Sequence, residues 1–180
     1  MALDVGYRDG GAVVAAVSAP TWDTPLGAHR ELARALAQPA AEYRSGSFYE
    51  RELPPLLALL GDRSALEALG LAGLTGLAGP EEAEALVVDG HAWLAPGLPG
   101  LGARLFEALG GATPVVGVAK GAWRGSAHAV PVRRGRSARP LYVTACGVDP
   151  ARAAERVAAM AGAYRLPDLL RRVDALSRGR

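Results

Sequence analysis

The sequence predicts an α/β protein in which a mixed β-sheet is flanked by helices. The first indication is the opening segment, residues 3–19 (LDVGYRDGGAVVAAVSA), which is typical of two strands joined by a tight turn. The second is the regular alternation of strands and helices from Leu86 onward, which predicts a parallel portion of the same sheet. The later strands are continuously apolar, as expected of a sheet that is buried on both faces.

The first half of the chain contains one ambiguous segment and one helix. Residues 27–37 (GAHRELARALA) have the composition of a helix, but their position after a hairpin also suits a third strand, and both interpretations stay open. A helix is predicted over 48–61 (FYERELPPLLALLG), after an SGS turn and with Pro54 and Pro55 in its first turn. Residues 62–85, rich in Leu, Ala and Gly, predict one helix and a loose connection.

The second half has a regular pattern of elements. The predicted order is strand 85–89, helix 101–110, strand 113–119, a basic irregular stretch, strand 140–145, helix 150–163 and a final helix over 167–178. There is no internal repeat and no glycine-rich phosphate-binding motif of the GxGxxG or GxxxxGK[ST] type.

The bulk composition favours one globular domain over residues 1–180. Half of the residues are apolar, which is enough for a sizeable core. No apolar run approaches the ~18 residues that a membrane span needs, and the first residues do not resemble a signal peptide, so we expect a cytoplasmic protein. Cys146 is the single cysteine, which makes an internal disulfide impossible and a zinc site improbable.

Charge is distributed unevenly along the chain. Residues 1–89 hold 13 acids and 6 arginines, whereas residues 90–148 hold one acid and seven basic residues. The densest basic run is PVRRGRSARP, which contains Arg133 and Arg134 as candidate nucleic-acid contacts. A solvated basic loop is the alternative explanation of this run.

Lys120 is the only lysine among 20 basic residues. In a chain that uses arginine wherever charge is wanted, a retained ammonium indicates a site that needs a compact charge on a flexible stem. Lys120 follows the apolar strand 113–119, so it projects from a strand end. Chance survival of one lysine is the alternative.

Three acids are suitably placed for metal binding. Asp4 lies in the first strand, Asp89 ends a later strand and Glu52 begins the helix after the SGS turn. Ligands of open α/β sheets collect at the carboxyl ends of parallel strands, and clustered carboxylates suit Mg²⁺ or Mn²⁺. Taken singly, each acid also has an ordinary explanation, as a strand-edge residue, a helix N-terminal acid or a turn former.

Six blocks of the chain, in order, resemble the endonuclease V family. They are DVGY (4–7), YRSGSFYERELPPLL (43–57), VDGH (88–91), GVAK (117–120), PLYV (140–143) and AYRLPDLL (163–170). Each block alone is a weak signal, but the ordered set covers almost the whole chain. The resemblance implies a ribonuclease H-like fold and Mg²⁺-dependent cleavage of DNA or RNA at the second phosphodiester 3′ to a deaminated base, typically inosine.

The resemblance also implies a role for each matching residue. Asp4, Glu52 and Asp89 would be catalytic metal carboxylates, and Lys120 a catalytic cation that faces the phosphate. The residues that would contact the nucleic acid are Tyr43 as a wedge between the strands, Gly46 in the loop around the lesion, Arg51 and His91. The cofactor would be Mg²⁺, with Mn²⁺ as a substitute, and we expect a monomer.

Three departures from the family pattern bear on activity. The family's histidine after the PLYV-like strand matches Gly147 here, and Asp149 is either its acidic substitute or the N-cap of the following helix. The run AWLAPGLPGLG (92–102) carries no charge where the family tends to have a histidine and paired arginines. The chain begins almost at its first strand, without the helix expected upstream.

These departures leave two alternatives to an active nuclease. One is a catalytically weakened or inactive relative that still binds nucleic acid. The other is a small-molecule hydrolase or partner-binding α/β domain in which the blocks match by accident. The joint retention of Asp4, Glu52, Asp89 and Lys120 favours the active enzyme.

Overall fold

The computed structural model describes residues 1–8, 11–36, 49–71, 84–124 and 126–180, and a mixed β-sheet forms its centre. The strands are β1 (Ala2–Arg8), β2 (Gly11–Ser18), β3 (Arg30–Leu36), β4 (Leu86–Asp89), β5 (Trp93–Ala95), β6 (Leu98–Pro99), β7 (Val115–Ala119), β8 (Val130–Val132) and β9 (Leu141–Cys146). The helices are α1 (Tyr49–Leu60), α2 (Arg63–Ala68), α3 (Leu101–Ala108), α4 (Pro150–Ala159) and α5 (Asp168–Ser177).

Seven strands form the sheet in the order β3-β2-β1-β4-β7-β9-β8, while β5 and β6 pair separately. The pairs β1–β4 and β4–β7 are parallel, and the remaining pairs of the sheet are antiparallel. The predicted α/β class with a mixed sheet is therefore confirmed. The three parallel strands lie in the middle, so their carboxyl ends meet at one edge of the sheet.

Helices cover both faces of the sheet. On one face, called face A, α1, α2 and α3 pack with Leu3, Val5 and Val88 into one apolar cluster. On the opposite face, called face B, α4 and α5 pack with Ala2 and Val87 into a second cluster. Because successive strand residues point to opposite faces, both faces of each central strand are buried, which explains why these strands are continuously apolar.

The opening hairpin is confirmed, and the ambiguous segment that follows is a strand. β1 and β2 pair along their whole lengths, although residues 9–10 of the predicted turn lie outside the described residues. β3 pairs with β2 at the edge of the sheet. Leu32 and Leu36 both pack against the face A cluster. A spacing of four residues puts two side chains on one side of either a strand or a helix, so the pattern could not distinguish them.

The direction of β9 differs from the sequence prediction. The alternation of strands and helices from Leu86 onward predicted a parallel portion of the sheet, but β9 runs antiparallel to β7, with Ala119 beside Tyr142 and Val115 beside Cys146. No helix connects β7 to β9 in the described chain, and parallel neighbours need such a crossover. The start of β9 consequently lies at the edge where β4 and β7 end, and the end of β9 lies at the opposite edge.

Several short elements were not predicted from the sequence. β5 and β6 form a small hairpin within the uncharged run 92–102, and the basic stretch contains the three-residue edge strand β8. Pro131 is tolerated in β8 because an edge strand has one unpaired side. The placement of Pro54 and Pro55 in the first turn of α1 is wrong, since α1 begins at Tyr49 and both prolines lie inside it.

Among the described residues, no helix combines the length and apolar character that crossing a membrane requires.

Candidate active site

Asp4 and Asp89 lie side by side at the edge where the parallel strands end. In the β1–β4 pair Ala2 lies beside Val87 and Leu3 beside Val88, and the next step of this register brings Asp4 beside Asp89. Neighbouring strands are ~4.8 Å apart, so the two backbones hold these residues close together. Strand alternation directs Asp4 with Ala2, and Asp89 with Val87, toward face B.

Lys120 joins the two aspartates from the next strand. It follows the last residue of β7 and shares the face of Val116 and Val118, which is face B. Its ammonium lies 2.5 Å from the carboxylate of Asp89. Burial opposes the charged form, but the hydrogen bond and charge of Asp89 outweigh it and raise the pKa of Lys120 above its ordinary value.

Asp174 is a fourth acid at this site that the sequence analysis did not identify. It lies on α5, and its carboxylate is 3.8 Å from the Lys120 ammonium and 2.8 Å from Arg178. Asp4, Asp89 and Asp174 line one small hollow. The sequence carried a signal for this acid. Val173 belongs to the apolar stripe of the last helix, and Asp174 directly follows it, so the acid lies next to the buried face of the helix.

Gly6 explains how α5 approaches the site so closely. A β-carbon at Gly6 would stand 2.2 Å from the main-chain oxygen of Ser177, so another residue in this position would displace the helix. The buried Ser177 hydroxyl donates a 2.6 Å hydrogen bond to Asp4. The glycine of the DVGY block therefore allows α5, and Asp174 with it, to pack against β1.

Glu52 reaches the same edge from face A. It lies in the first turn of α1 and is only 4% exposed. Burial, followed by the negative charges of Asp4 and Asp89, raises the pKa of Glu52 to about 9. Burial is also the main reason that the pKa of Asp4 is raised, and Asp89 and Asp174 add to the effect. At neutral pH, Glu52 therefore holds a proton in the metal-free protein.

The acids have the chemistry of a hard-cation site but are not yet arranged around one point. Among the described residues, no three Asp, Glu, His or Cys side chains stand in a metal-binding arrangement. The side chains are engaged elsewhere: Asp89 with Lys120, and Asp4 with Ser177. Crowded carboxylates whose pKa values are raised by burial and mutual repulsion are stabilised by a divalent cation, so the residues fit Mg²⁺ or Mn²⁺ after local side-chain movement.

His91 is buried, contrary to the expectation that it contacts the nucleic acid. The residue is 8% exposed, and Nε2 lies 3.0 Å from the carbonyl oxygen of Gly121. This contact ties the loop after β4 to the loop after Lys120. Burial, together with the nearby His128, lowers the pKa of His91 below its ordinary value and so favours the neutral ring. The VDGH histidine therefore supports the loop that carries Lys120 and is closed to a phosphate.

The prediction that Arg134 contacts a phosphate is also wrong. Arg134 is 7% exposed, and its guanidinium donates hydrogen bonds to main-chain oxygens at the end of α4 and just after it. The acceptors are the carbonyl oxygens of Ala158, Met160, Ala161, Gly162 and Tyr164. A guanidinium suits this role because it carries five donors, and the last carbonyls of a helix have no partner within the helix.

The other predicted nucleic-acid contacts differ in how far the structure describes them. Arg133 is exposed at the end of β8, as a phosphate contact must be. Arg51 lies 4.1 Å above the ring of Tyr7, next to Glu52. Tyr43 and Gly46 lie outside the described residues. The roles of Arg133, Arg51, Tyr43 and Gly46 stay predictions.

Gly147 and Asp149 are at the wrong edge of the sheet to complete the site. Cys146 pairs with Val115 at the start of β7, so the residues after β9 lie far from Lys120. Gly147 has a φ of +73°, and a β-carbon there would stand 2.7 Å from the Phe106 ring, so a histidine does not fit. Asp149 caps α4 by accepting a 2.9 Å hydrogen bond from the Arg152 amide. The alternative that Asp149 is an N-cap is confirmed.

The chain matches solved structures of other proteins. No protein-family model matches, and a search of curated proteins finds no similar sequence. The match to human endonuclease V has 24% identity and a TM-score of 0.67 over 98% of this chain and 81% of that chain. The chain has the endonuclease V fold. Endonuclease V from Streptomyces avermitilis matches with 24% identity and a TM-score of 0.64, over 98% of this chain and 78% of that chain.

A third endonuclease V structure was determined with a nucleic acid. It is the Ciona intestinalis protein in complex with a 24mer DNA containing an inosine followed by a ribo-adenosine. It matches with 16% identity and a TM-score of 0.72, over 98% of this chain and 82% of that chain. The resemblance to endonuclease V and the ribonuclease H-like mixed sheet are thus confirmed in the fold.

The proton on Glu52 predicts how the stability of the metal-free protein depends on pH. An ordinary glutamate has a pKa of 4.5, so between pH 4.5 and about 9 the folded state holds a proton that the unfolded chain has released. The free energy of unfolding in EDTA should therefore fall as pH rises through this window, by at most about 1.4 kcal/mol per pH unit from this group. The raised pKa of Asp4 acts in the same direction.

Urea unfolding of Glu52→Gln at several pH values tests this prediction. The variant should show a flatter pH dependence than the wild type and should be the more stable protein at pH 9. Glu50→Gln, on the exposed side of the same helix, is the control and should keep the wild-type slope. Equal slopes for Glu52→Gln and the wild type would show that Glu52 is ionised in the folded protein.

The burial of Arg134 predicts a large difference between two adjacent arginines. Arg134→Ala should lower the free energy of unfolding by about 2–4 kcal/mol, because buried carbonyl oxygens lose their donor. Arg133→Ala, at an exposed position, should change it by less than about 0.5 kcal/mol. Urea unfolding measures both, and a loss of similar size in the two variants would contradict the assigned role of Arg134.

Proposed function

We propose that this protein belongs to the endonuclease V family and hydrolyses phosphodiester bonds in DNA or RNA near a deaminated base such as inosine. The observation that carries the proposal is the meeting of Asp4, Glu52, Asp89 and Lys120, from four separate blocks of sequence, at one edge of a sheet with the endonuclease V fold. An accidental match of short motifs does not explain why these residues converge in space.

Mg²⁺ is the proposed cofactor, with Mn²⁺ as a substitute. Asp4, Glu52, Asp89 and Asp174 would hold it, since hard divalent cations prefer carboxylate oxygens and relieve the repulsion among them. When bound, the cation supplies an acidified water and neutralises charge on the phosphodiester. Because Glu52 is protonated at neutral pH, it must lose a proton to become a ligand.

Lys120 is proposed to stabilise negative charge that develops on the phosphate. Its ammonium lies between Asp89 and Asp174, and both interactions keep it charged. The side chain is partly exposed and a lysine stem is flexible, so the ammonium can turn from Asp89 to a phosphate once a cation satisfies that carboxylate. Arg165 holds the backbone at Lys120 in place by donating hydrogen bonds to the carbonyl oxygens of Lys120 and Pro140.

Inosine is the proposed lesion because of the sequence blocks and the relatives together. The Ciona relative was determined with inosine-containing DNA. In this chain Tyr43 and Gly46 would surround the lesion, with Arg51 beside them on the same block. An unpaired or damaged base costs least to unstack, which favours recognition of a deaminated pair. The expected products carry 3′-hydroxyl and 5′-phosphate ends.

The inactive-relative alternative has lost its main argument. It depended on Gly147 replacing an active-site histidine, but position 147 is at the opposite edge of the sheet. The fourth acid, beside Asp4 and Asp89, is Asp174. The uncharged run 92–102 remains a departure from the family pattern on the substrate side.

Cleavage of an inosine-containing strand tests the proposed function. With Mg²⁺, the wild type should cut this strand and leave the matched adenine strand intact. Asp89→Asn and Asp174→Asn should each lower the rate by about 100-fold or more, because each removes a charged oxygen donor from the site. Asp149→Asn is the control and should keep the wild-type rate, since asparagine caps a helix as well as aspartate does.

Two results would contradict the proposal in different ways. A wild type that cuts in neither Mg²⁺ nor Mn²⁺ would favour the binding-only relative. Full activity in Asp174→Asn, together with loss of activity in Asp89→Asn, would show that Asp174 is not part of the site. The roles proposed for the other site residues would stand.

A further inference from the structure

Tyr164 presents an exposed aromatic ring in a fixed position. It lies in the connection between α4 and α5 and is 64% exposed. The guanidinium of Arg171 lies 4.6 Å from the ring centroid, and Asp168 holds Arg171 through a 3.3 Å ion pair. A cation–π contact of this kind covers one face of the ring, restricts its rotation and leaves the other face toward solvent.

The backbone beneath Tyr164 is also fixed. Buried Arg134 donates a 3.1 Å hydrogen bond to the carbonyl oxygen of Tyr164. Gly135 packs so closely that a β-carbon there would stand 2.4 Å from the carbonyl oxygen of Ala163 and 3.2 Å from the Cα of Tyr164. The loop after β8 therefore lies directly against the Tyr164 segment, and its buried arginine anchors the exposed ring.

The loop that packs against Tyr164 also carries three exposed arginines. Arg133, Arg136 and Arg139 are exposed, and none of them forms an ion pair with any residue that the structure describes. Residues 133–139 contain no acid. A fixed aromatic ring packed against a loop with three guanidinium groups that lack an acidic partner matches the chemistry of single-stranded nucleic acid, which offers phosphates and base faces together.

This surface borders the candidate active site. Val132, at the end of β8, pairs with Leu141, at the edge where β4 and β7 end. The loop lies three strand spacings from β4, which is roughly 14 Å. Arg165, the residue after Tyr164, donates a hydrogen bond to the carbonyl oxygen of Lys120. A strand that crosses the site can therefore continue onto the Tyr164 surface.

We propose that the open face of Tyr164 stacks on an unpaired base of the substrate strand, while Arg133, Arg136 and Arg139 contact its phosphates. The inference rests on the proposed function, because it assigns a path to the strand that the site would cut. The ring makes the surface selective: arginines alone bind any polyanion, whereas stacking requires a base that is not enclosed in a duplex.

Fluorescence anisotropy in EDTA, with a labelled single-stranded 12-mer that contains no inosine, tests the proposal. Tyr164→Leu removes the aromatic face and should weaken binding by roughly 5- to 100-fold, whereas Tyr164→Phe keeps the face and should bind within about twofold of the wild type. A 12-mer made of abasic nucleotides should bind the wild type as weakly as the ordinary 12-mer binds Tyr164→Leu. The wild type and Tyr164→Leu should bind this abasic strand with equal affinity.

The arginines are tested by the salt dependence of the same binding. Replacing Arg133, Arg136 and Arg139 together by glutamine should lower the slope of log affinity against log salt concentration by about 2, since each phosphate contact on a single strand contributes about 0.7. Arg63→Gln is the matched control, because Arg63 is an exposed arginine of α2 on face A, and should leave the slope unchanged.

Three outcomes would overturn the inference. The first is an affinity for the ordinary 12-mer that is unchanged in Tyr164→Leu, and the second is a loss of affinity in Tyr164→Leu that is as large for the abasic strand as for the ordinary one. The third is a loss of polyglutamate binding of the same size in Tyr164→Leu, which would assign the surface to an acidic protein. Thermal unfolding of Tyr164→Leu should match that of the wild type, since the ring is exposed. This binding requires neither metal nor inosine. A protein that binds the strand in this way but does not cleave would therefore refute the proposed function and leave this inference standing.

Discussion

The crowding of negative charge at one edge of the sheet is the constraint on which the rest of the site depends. Parallel pairing of β1 and β4 brings Asp4 beside Asp89, while Glu52 and Asp174 approach from helices on opposite faces. Like charges at such separations destabilise the folded state unless they are neutralised. The protein neutralises them locally, by a proton on Glu52, the Ser177 hydroxyl on Asp4 and the Lys120 ammonium on Asp89. The proposed divalent cation would replace these compensations together.

Neighbouring features of the fold serve this edge. Gly6 lets α5 approach β1, and Gly117 admits the loop after β4, since a β-carbon at Gly117 would stand 2.2 Å from the Ala92 amide nitrogen. His91 and Arg165 then fix the loop that follows Lys120 through main-chain carbonyls. Buried polar side chains thus set the position of exposed polar side chains. This explains why some residues that resemble binding groups in the sequence support the backbone in the folded protein.

The sequence predicted the fold class, the opening hairpin and the residues that end β4 and β7, because apolar strands and the polar residues after them leave a local pattern. It could not predict that β9 is antiparallel, since strand direction depends on a connection without a clear pattern. Gly147 was matched to an active-site histidine by motif alone, and the motif does not show that the end of β9 lies at the opposite edge. Asp174 was missed because contact between α5 and β1 is set by the absent side chain of Gly6. For Arg133 and Arg134 the sequence identifies two adjacent arginines but not which of them is buried.

Proton release on metal binding tests the central claim most directly. Titration of the protein with Mg²⁺ at pH 7, by calorimetry in two buffers of different ionisation enthalpy, measures the protons released per ion. In the proposed site Glu52, which is protonated before binding, would have to lose its proton to become a ligand, so we expect a release on the order of one proton per ion, and none in Glu52→Gln. Binding of Mg²⁺ without proton release, or with the same release in Glu52→Gln, would contradict a site built on these four carboxylates.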